Sequence, residues 1–285
     1  MRMKNFGGLI FIAITIGLFL SGIGYSGDAE IYFKRGYAYE KKGDHDRAIQ
    51  NFDKAIAINP NYAEAFYNRG IAYEKKGSDL FYEKKNNGNL YKDKAIQDYD
   101  KAIIINPNYV DAYIKRGDAY YQKGFNESEY YNKSIQDFDK AIATKSNDAD
   151  IYYKRGYAYE KKGDHDRAIQ DFDKAININP KVNGAYLGRG FAYNSKGDYD
   201  RAIKDFSKAI TPNGFFLPYY GRGLAYFKKG DYDRAIKDFT KAISDYKFDQ
   251  AFYNRGLAYE KKGNIDRAIE DFDKACKLGF KEACR

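Results

Sequence analysis

Histidine and cysteine, which are typical of catalytic and metal sites, occur only twice each in this 285-residue chain. The two histidines, His45 and His165, stand at equivalent places in two nearly identical segments, where other segments carry Tyr199, Tyr232 or Ile265. Because a place that accepts tyrosine and isoleucine cannot require a metal ligand or a general base, we interpret it as a packing or surface position. The histidines therefore indicate neither catalysis nor a metal site.

The other chemical signals are weak as well. Two cysteines with no nearby histidine make a poor zinc site, and no Ser-His-Asp set stands out. Carboxylates are abundant but recur at a fixed period, so that no pair is singled out as general acid and base. The glycines also recur at fixed places and do not form a loop that could cradle phosphate. We predict that the protein is not an enzyme and has no cofactor.

The formal net charge of +9 could by itself indicate a nucleic acid or an anionic membrane as partner. Here the lysines and arginines recur at fixed places among equally regular aspartates and glutamates. That pattern is typical of a solvated face of mixed charge. We therefore expect no nucleic-acid partner.

Residues 1–26 have the order of a secretory signal peptide. Two basic residues precede the apolar stretch Leu9–Leu20, and small residues follow up to Gly27. The stretch would span about 18 Å as a helix, less than the ~30 Å hydrocarbon layer of a membrane. We expect cleavage before Gly27 and an exported protein, periplasmic or extracellular. The alternative is an uncleaved membrane anchor over residues 6–25, which would be the only contact with a membrane.

Residues 27–285 form a tandem array. The dipeptide Arg-Gly occurs seven times at intervals of 33 to 47 residues, and the segments Ile31–Pro60 and Ile151–Pro180 differ at only three of thirty positions. A period of this length is typical of a solenoid. We expect repeats to begin near residues 29, 63, 110, 149, 183, 216 and 249, with insertions at 78–90 and 125–130.

Each repeat has the pattern of two helices. In the first repeat these are Ala29–Lys42 and Asp46–Ile58. Gly43 suits a left-handed cap at the end of the first helix, and Asp44 suits the N-cap of the second. Pro60 stops the second helix, because proline disfavours helix in the residue before it.

The glycine of each Arg-Gly pair lies inside the first helix, where it costs roughly 1 kcal/mol against alanine. We expect that the missing side chain lets the second helix cross the first one closely. In the first repeat Gly36 would face Ala48, and Tyr32, Tyr39 and Phe52 would fill the space around that contact.

This pattern resembles the tetratricopeptide repeat. In the first repeat the matching residues are Tyr32, Gly36, Tyr39, Ala48, Phe52, Ala55 and Pro60. The resemblance implies an all-α, right-handed superhelical solenoid of seven helix-turn-helix repeats.

One departure from the family pattern is systematic, since arginine precedes the glycine where the family usually has leucine. The second helices carry a periodic aspartate, at Asp98, Asp137, Asp171, Asp205, Asp238 and Asp271. We hypothesise that arginine and aspartate pair across the two helices of a repeat. The alternative is that they are independent, solvated charges.

The chain ends with its only two cysteines, Cys276 and Cys284. On one unbroken helix they would lie about 12 Å apart, too far for a bond, but Gly279 can end the helix and reverse the chain. This ending resembles the Sel1-like relatives of the family, and that resemblance implies a disulfide. Free thiols are the alternative.

The resemblance also implies a binding groove lined by the first helices of the repeats. The positions that face the groove in the family correspond here to Phe33, Tyr37, Tyr67, Ile71, Ile114, Tyr153, Tyr157, Leu187, Phe191, Tyr220, Leu224, Tyr253 and Leu257. Lys34, Asn68, Lys115, Lys154 and Asn254 flank this stripe. The alternative is that much of the stripe packs against neighbouring first helices.

We therefore predict a non-catalytic protein–protein interaction scaffold of the cell envelope, with an extended peptide or a partner helix in the groove. Two alternatives stay open. The tyrosines of the groove could bind an envelope polysaccharide, or the protein could be a subunit of an export or assembly complex.

Overall fold

The computed structural model describes residues 27–82, 88–125, 127–211, 216–244 and 248–284. The regular elements in these ranges are fourteen α-helices and one short 3₁₀ turn, which confirms the all-α class and agrees with seven helix pairs. The predicted signal peptide lies outside the described residues. None of the described helices is both long enough and apolar enough to span a membrane.

The chain divides into two compact units, Met1–Asn126 and Glu127–Arg285. The first unit contains α1 (27–41), α2 (His45–Ile58), α3 (Ala63–Tyr82), α4 (Gly88–Ile105) and α5 (Val110–Lys123). The second contains α6 (Glu129–Thr144), α7 (Ala149–Lys162), α8 (His165–Ile178), α9 (Asn183–Ser195), α10 (Tyr199–Ala209), α11 (Leu217–Lys228), α12 (Tyr232–Ser244), α13 (Asp249–Lys261), α14 (Ile265–Lys277) and the 3₁₀ turn Lys281–Ala283.

Within the second unit each helix packs on the next one along the chain. The first helices of neighbouring pairs also contact each other directly, α7 with α9, α9 with α11 and α11 with α13. The second helices of neighbouring pairs make less contact with one another than the first helices do. Because the first helices lie closer together, α7, α9, α11 and α13 form the inner side of this unit.

The helix boundaries follow from local chemistry. Gly43 ends the first pair's α1 with φ +76°, and the same left-handed glycine recurs in four pairs of the second unit. The carboxylate of Asp44 then accepts a hydrogen bond of 3.0 Å from the backbone N–H of Arg47 at the start of α2. Both caps are confirmed, and each satisfies backbone groups that a helix end leaves unpaired.

The glycine inside each first helix makes room for an aromatic ring. A Cβ atom on Gly36 would lie 2.7 Å from Cε1 of Phe52, and one on Gly156 would lie 2.9 Å from Cε1 of Phe172. Ala48, which we expected to face the glycine, is fully buried in the same cluster as Phe52. The close approach and the filling of the space by Phe52 are therefore confirmed, and the ring of the second helix occupies the space that a side chain on Gly36 would need.

The second repeat and the chain end depart from the regular pair. Helices α3 and α4 have 20 and 18 residues, against 14 in α2. At the other end, Gly279 has φ +106° and reverses the chain after α14. Cys276 and Cys284 form a disulfide with their Cα atoms 5.0 Å apart.

Candidate functional site

In five repeats the arginine of the Arg-Gly dipeptide joins three helices. Arg155 on α7 donates from Nε and Nη2 to both oxygens of Asp171 on α8, at 2.7 and 2.6 Å. Its Nη1 donates to Asp139 on α6 of the preceding pair, at 2.6 Å. The same bidentate contact joins Arg69 to Asp98, Arg189 to Asp205, Arg222 to Asp238 and Arg255 to Asp271. These five arginine–aspartate contacts confirm the hypothesis that the two residues pair across the two helices of a repeat.

The hydrogen bond from Nη1 to the preceding helix pair is a second contact, which the sequence did not indicate. Its acceptors are Asp53 for Arg69, Asp100 for Arg116, Asp139 for Arg155, Asp173 for Arg189, Ser207 for Arg222 and Thr240 for Arg255. The bidentate aspartates are buried, whereas the acceptors of the preceding pair are more exposed. We call this set of contacts the arginine ladder.

Burial governs the electrostatics of the ladder. Burial raises the pKa of Asp171, and the two hydrogen bonds from Arg155 oppose that shift. The guanidinium also lies 5.6 Å from the ring centre of Tyr152 and 5.8 Å from that of Tyr159. Two rings and two carboxylates therefore surround one cation, a setting that suits the planar guanidinium better than an ammonium group.

The first repeat lacks this arrangement. Its second helix carries Asn51 where the others carry the paired aspartate, and the Asn51 side chain donates to the carbonyl of Arg47. Arg35 is exposed and lies 5.7 Å from the ring centre of Tyr32.

The predicted groove positions lie on the same first helices as the arginines of the ladder. Aromatic groove residues are fixed from behind by two other rings. Tyr220 lies 6.0 Å from Phe239 on its own second helix and 4.8 Å from Phe248 at the start of the next pair. Tyr67 has the equivalent contacts with Tyr99 and Tyr109, at 5.9 and 4.9 Å. One side of each of these rings is thus packed, against the pair's own second helix and the start of the next pair rather than against the body of a neighbouring first helix.

The other side of the groove residues is open. Tyr37 is 44% exposed, and the other twelve predicted groove residues are half-buried. Five of the thirteen lie in the first unit and eight in the second, where they occupy the inner helices α7, α9, α11 and α13. The inner face of the second unit is therefore apolar, anchored and partly accessible.

Groove tyrosines offer neutral hydroxyl groups. The Tyr220 hydroxyl lies 3.5 Å from Oε1 of Gln250 and accepts a hydrogen bond of 3.2 Å from Nδ2 of Asn254. Burial raises the pKa of Tyr220 to about 12, as it does for Tyr67. Tyr157 donates to the carbonyl of Gly184 at 3.3 Å. The phenols of Tyr67 and Tyr220 therefore stay protonated near neutral pH and carry no negative charge.

The flanking polar residues are engaged within the array. Lys34 pairs with Glu30, Lys115 with Glu74, Lys154 with Asp150, and the amides of Asn68 and Asn254 donate to the carbonyls of Glu64 and Gln250. The described flanks therefore favour recognition by apolar contact over a clamp for a carboxylate.

Two further apolar residues, which the sequence analysis did not single out, lie on the face of α11 that carries the predicted groove positions. Leu217 and Phe227 share one face of α11 with Tyr220 and Leu224, because positions three, seven and ten residues apart fall on the same side of a helix. Leu217 is 37% exposed. The helical period of α11, followed one turn beyond each end of the family positions, would have identified both.

Close stacking accompanies this apolar stretch. A Cβ atom on Gly221 would lie 2.5 Å from Cε1 of Phe206, which belongs to the preceding pair. Glycine at this place lets α11 approach α10 without a side chain between them. Over the described ranges, no group of three or more His, Cys, Asp or Glu side chains is placed to hold a metal ion.

Models of one repeat family match most of the chain. A model described as TPR repeat matches residues 39–77, 92–124 and 125–163, and models described as tetratricopeptide repeat match residues 149–182, 184–211 and 220–280. The resemblance drawn from the Arg-Gly segments is thereby confirmed. The Sel1-like character of the chain end stays a prediction.

Solved structures show the same fold. A tetratricopeptide repeat protein from Parabacteroides merdae is 23% identical, with a TM-score of 0.68 over 90% of this chain and 97% of that one. MamA is 29% identical, with a TM-score of 0.55 over 72% of this chain and 96% of that one. PilW, a widely conserved type IV pilus biogenesis factor, is 16% identical, with a TM-score of 0.61 over 74% and 94%. The comparison with curated proteins gave no match.

Proposed function

Since the chain belongs to the tetratricopeptide repeat family, we propose that it is a non-catalytic scaffold that binds another protein. Its ligand is an extended peptide or a partner helix. The ligand lies against the inner helices of the second unit and is held by apolar side chains. The observation that carries the proposal is the row of half-buried apolar residues on α9, α11 and α13.

The row has the features of a binding surface. Leu187, Phe191, Tyr220 and Leu257 are half-buried and pack on one side into the array, and Leu224 is half-buried on the same helix as Tyr220. Side chains that are already fixed lose little conformational freedom on binding, which favours affinity. Aromatic anchors such as Tyr220 are enriched among the few residues that contribute most of the free energy of an interface.

A polysaccharide is a weaker candidate for the same face. A sugar that stacks on a tyrosine needs an open ring face and a free hydroxyl group. The Tyr220 ring contacts two other rings, and its hydroxyl is within hydrogen-bond distance of Gln250 and Asn254. We therefore place the protein ligand first.

The envelope is the proposed location. The signal-like order of residues 1–26 and the Cys276–Cys284 disulfide both favour export, because disulfides persist in oxidising compartments. PilW is a pilus biogenesis factor, but its 16% identity supports only the common fold. A role as a subunit of an export or assembly complex would be one form of the same scaffold function.

Site-specific crosslinking tests the proposal. A photoreactive amino acid is placed at Leu224 on the inner face and, as a matched control, at the exposed Lys204 on α10 of the same unit. Irradiation in the native host should capture one protein from position 224 and not from position 204. The captured partner, or a peptide from its crosslinked segment, should then bind the purified protein.

A substitution makes the test quantitative. Leu224→Lys should weaken binding of that peptide at least about tenfold, because it places a charge in an apolar contact, whereas Lys204→Glu should leave binding unchanged. Unaltered helical circular dichroism must accompany both variants. Crosslinking to glycan alone, or equal binding by the Leu224→Lys variant, would contradict the proposal.

A further inference from the structure

The first helix of the array leaves uncovered a face that the other repeats bury. Ile31 is 47% exposed, and Ala38 and Arg35 on the same side of α1 are exposed. The nearly identical helix α7 carries Ile151 and Ala158 at the equivalent places, and both are fully buried. The difference arises because α7 packs on α6 of the preceding pair.

The last helix leaves the complementary face uncovered. Ile269 is 53% exposed and Asp273 is exposed on α14. Their equivalents on α6 are Ile135, which is buried, and Asp139, which accepts the hydrogen bond from Nη1 of Arg155. Isoleucine and aspartate thus stand at the same two places on α14 as on the helix that receives α7.

The contact between α6 and α7 is therefore a template for packing α1 of one copy of the chain on α14 of a second copy. On one side, Ile31, Arg35 and Ala38 repeat the residues that α7 presents to α6. On the other side, Ile269 and Asp273 repeat the residues that receive them. The charges are complementary as well, because Arg35 is positive and Asp273 is negative. Within its own repeat Arg35 lacks the aspartate that pairs with its equivalents, since the second helix carries Asn51 at that place.

A short segment after α14 packs on the core of the last pair, while Ile269 and Asp273 stay exposed. The ring of Phe280 lies 4.9 Å from Tyr253, just as Tyr62 at the start of the second repeat lies 4.9 Å from Phe33. Ala283, three residues on, is buried against the core of the last pair. Residues 280–284 thus fill the place of the first turn of an eighth first helix, and we call them the terminal cap.

The disulfide between Cys276 and Cys284 ties the terminal cap to α14. A docked second copy would place its Ile31 where Ala283 lies, because both stand at the place of Ala65 in the regular array. The cap and a second copy therefore exclude each other. A second copy can therefore pack on α14 only after the terminal cap is released.

We propose that two copies of this chain associate head to tail, with α1 of one copy packed on α14 of the next and Arg35 donating to Asp273. The terminal cap prevents this association while Cys276 and Cys284 are bonded. A dithiol opens it by thiol–disulfide exchange, in which the dithiol becomes a cyclic disulfide and both cysteines become thiols. The two faces of the contact differ, so further copies can add in the same way.

The experiment measures association of the exported chain, purified from a host that processes it, by sedimentation velocity with and without dithiothreitol. The oxidised protein should be monomeric, and the reduced protein should form concentration-dependent dimers and longer species. A Cys284→Ser variant and a chain that ends at Leu278 should associate without reductant. Circular dichroism checks that each variant keeps its helices, and the two variants together keep the test valid if one of them fails to fold.

Charge reversal tests the contact itself. In the Cys284→Ser background, Arg35→Asp alone and Asp273→Arg alone should each raise the dissociation constant at least about tenfold. The double reversal should restore association, while the control Lys204→Glu should have no effect. Monomers in the reduced and truncated proteins, or association that ignores both reversals, would overturn the proposal.

Discussion

Arg155 and Asp171 face each other across one repeat with two parallel hydrogen bonds, of 2.7 and 2.6 Å, while the third nitrogen of the same guanidinium reaches Asp139 in the preceding pair. One side chain therefore fixes the distance between two helices of a pair and the distance between two pairs. Because Asp171 is buried, neither charge can lose its partner without a cost in stability.

Removal of one partner of this ion pair should destabilise the protein strongly. We expect Arg155→Met or Asp171→Leu alone to lower the free energy of unfolding by about 3–5 kcal/mol, because the first leaves the buried Asp171 without Arg155 and the second leaves two nitrogens of Arg155 without their acceptor. The double variant should lose clearly less than the sum of the two. Chemical denaturation followed by circular dichroism measures all three.

The first repeat supplies the matched control for that cycle. Arg35→Met should change stability by no more than about 0.5 kcal/mol, because Arg35 is exposed and Asn51 stands in place of the aspartate. Additive effects at Arg155 and Asp171, or an equal loss at Arg35, would show that the ladder does not act as a coupled unit.

Gly156→Ala should destabilise the protein by about 1–3 kcal/mol, because overpacking outweighs the gain in helix propensity. The new Cβ atom would lie 2.9 Å from Cε1 of Phe172. In Gly156→Ala/Phe172→Leu the smaller side chain should recover part of the loss. Thermal melts of the three variants measure the effect. A Gly156→Ala protein that is as stable as the parent would contradict the assigned role of the glycine.

Acid should weaken the helix caps. Hydrogen bonds from the arginine three residues on lower the pKa of Asp164, Asp198 and Asp231. A carboxyl whose pKa is lower in the folded state stabilises it above the unfolded pKa of about 4, and this contribution is lost as the pH falls through the folded pKa. Replacing all three with asparagine, which caps α14 naturally at Asn264, should therefore flatten the fall in melting temperature between about pH 5 and pH 2.

The control for the cap experiment replaces three exposed glutamates, Glu127, Glu270 and Glu282, with glutamine. This variant should keep the parent's dependence of melting temperature on pH. The same acid sensitivity in the asparagine variant and its parent would show that the caps do not titrate with folding.

Reduction of the Cys276–Cys284 disulfide should loosen the end of the array. The closed loop is short, so the expected loss is about 2.5 kcal/mol in the chain-entropy model. At a protein concentration low enough to keep the reduced chain monomeric, hydrogen exchange should speed up in α14 and leave α8 unchanged, since stability in a repeat array is set mainly by neighbouring repeats. A Cys276→Ser/Cys284→Ser variant should show no response to dithiothreitol. Exchange in α14 that is unaffected by reduction of the parent would contradict the prediction.

Much of the local structure could be predicted from the sequence. Gly43 and Asp44 marked a helix end and a helix start, and both proved to be so because capping depends on residues only a few positions apart. The pairing of Arg155 with Asp171 was also predicted, because the same spacing recurred in repeat after repeat. The thirteen groove positions came from the resemblance to the family, and their role in binding stays a proposal.

Other contacts could not be predicted from the sequence. The sequence indicated that Phe52 lies near the close approach at Gly36, but not that its ring would lie directly against the glycine, 2.7 Å from an added Cβ atom. It also did not indicate that Tyr220 would be held between Phe239 and Phe248, which are 19 and 28 residues away along the chain. Such contacts depend on the crossing of helices, which no local period records.

By itself the sequence determined the repeat, the helix pairs and their caps, because these follow from interactions within a few turns of one chain segment. Asp139 and Asp171 stand 16 residues before and 16 residues after Arg155. Only the tertiary structure decided that both carboxylates reach the same guanidinium. The reason is that stacked pairs bring the second helix of one repeat as close to the arginine as the second helix of its own repeat.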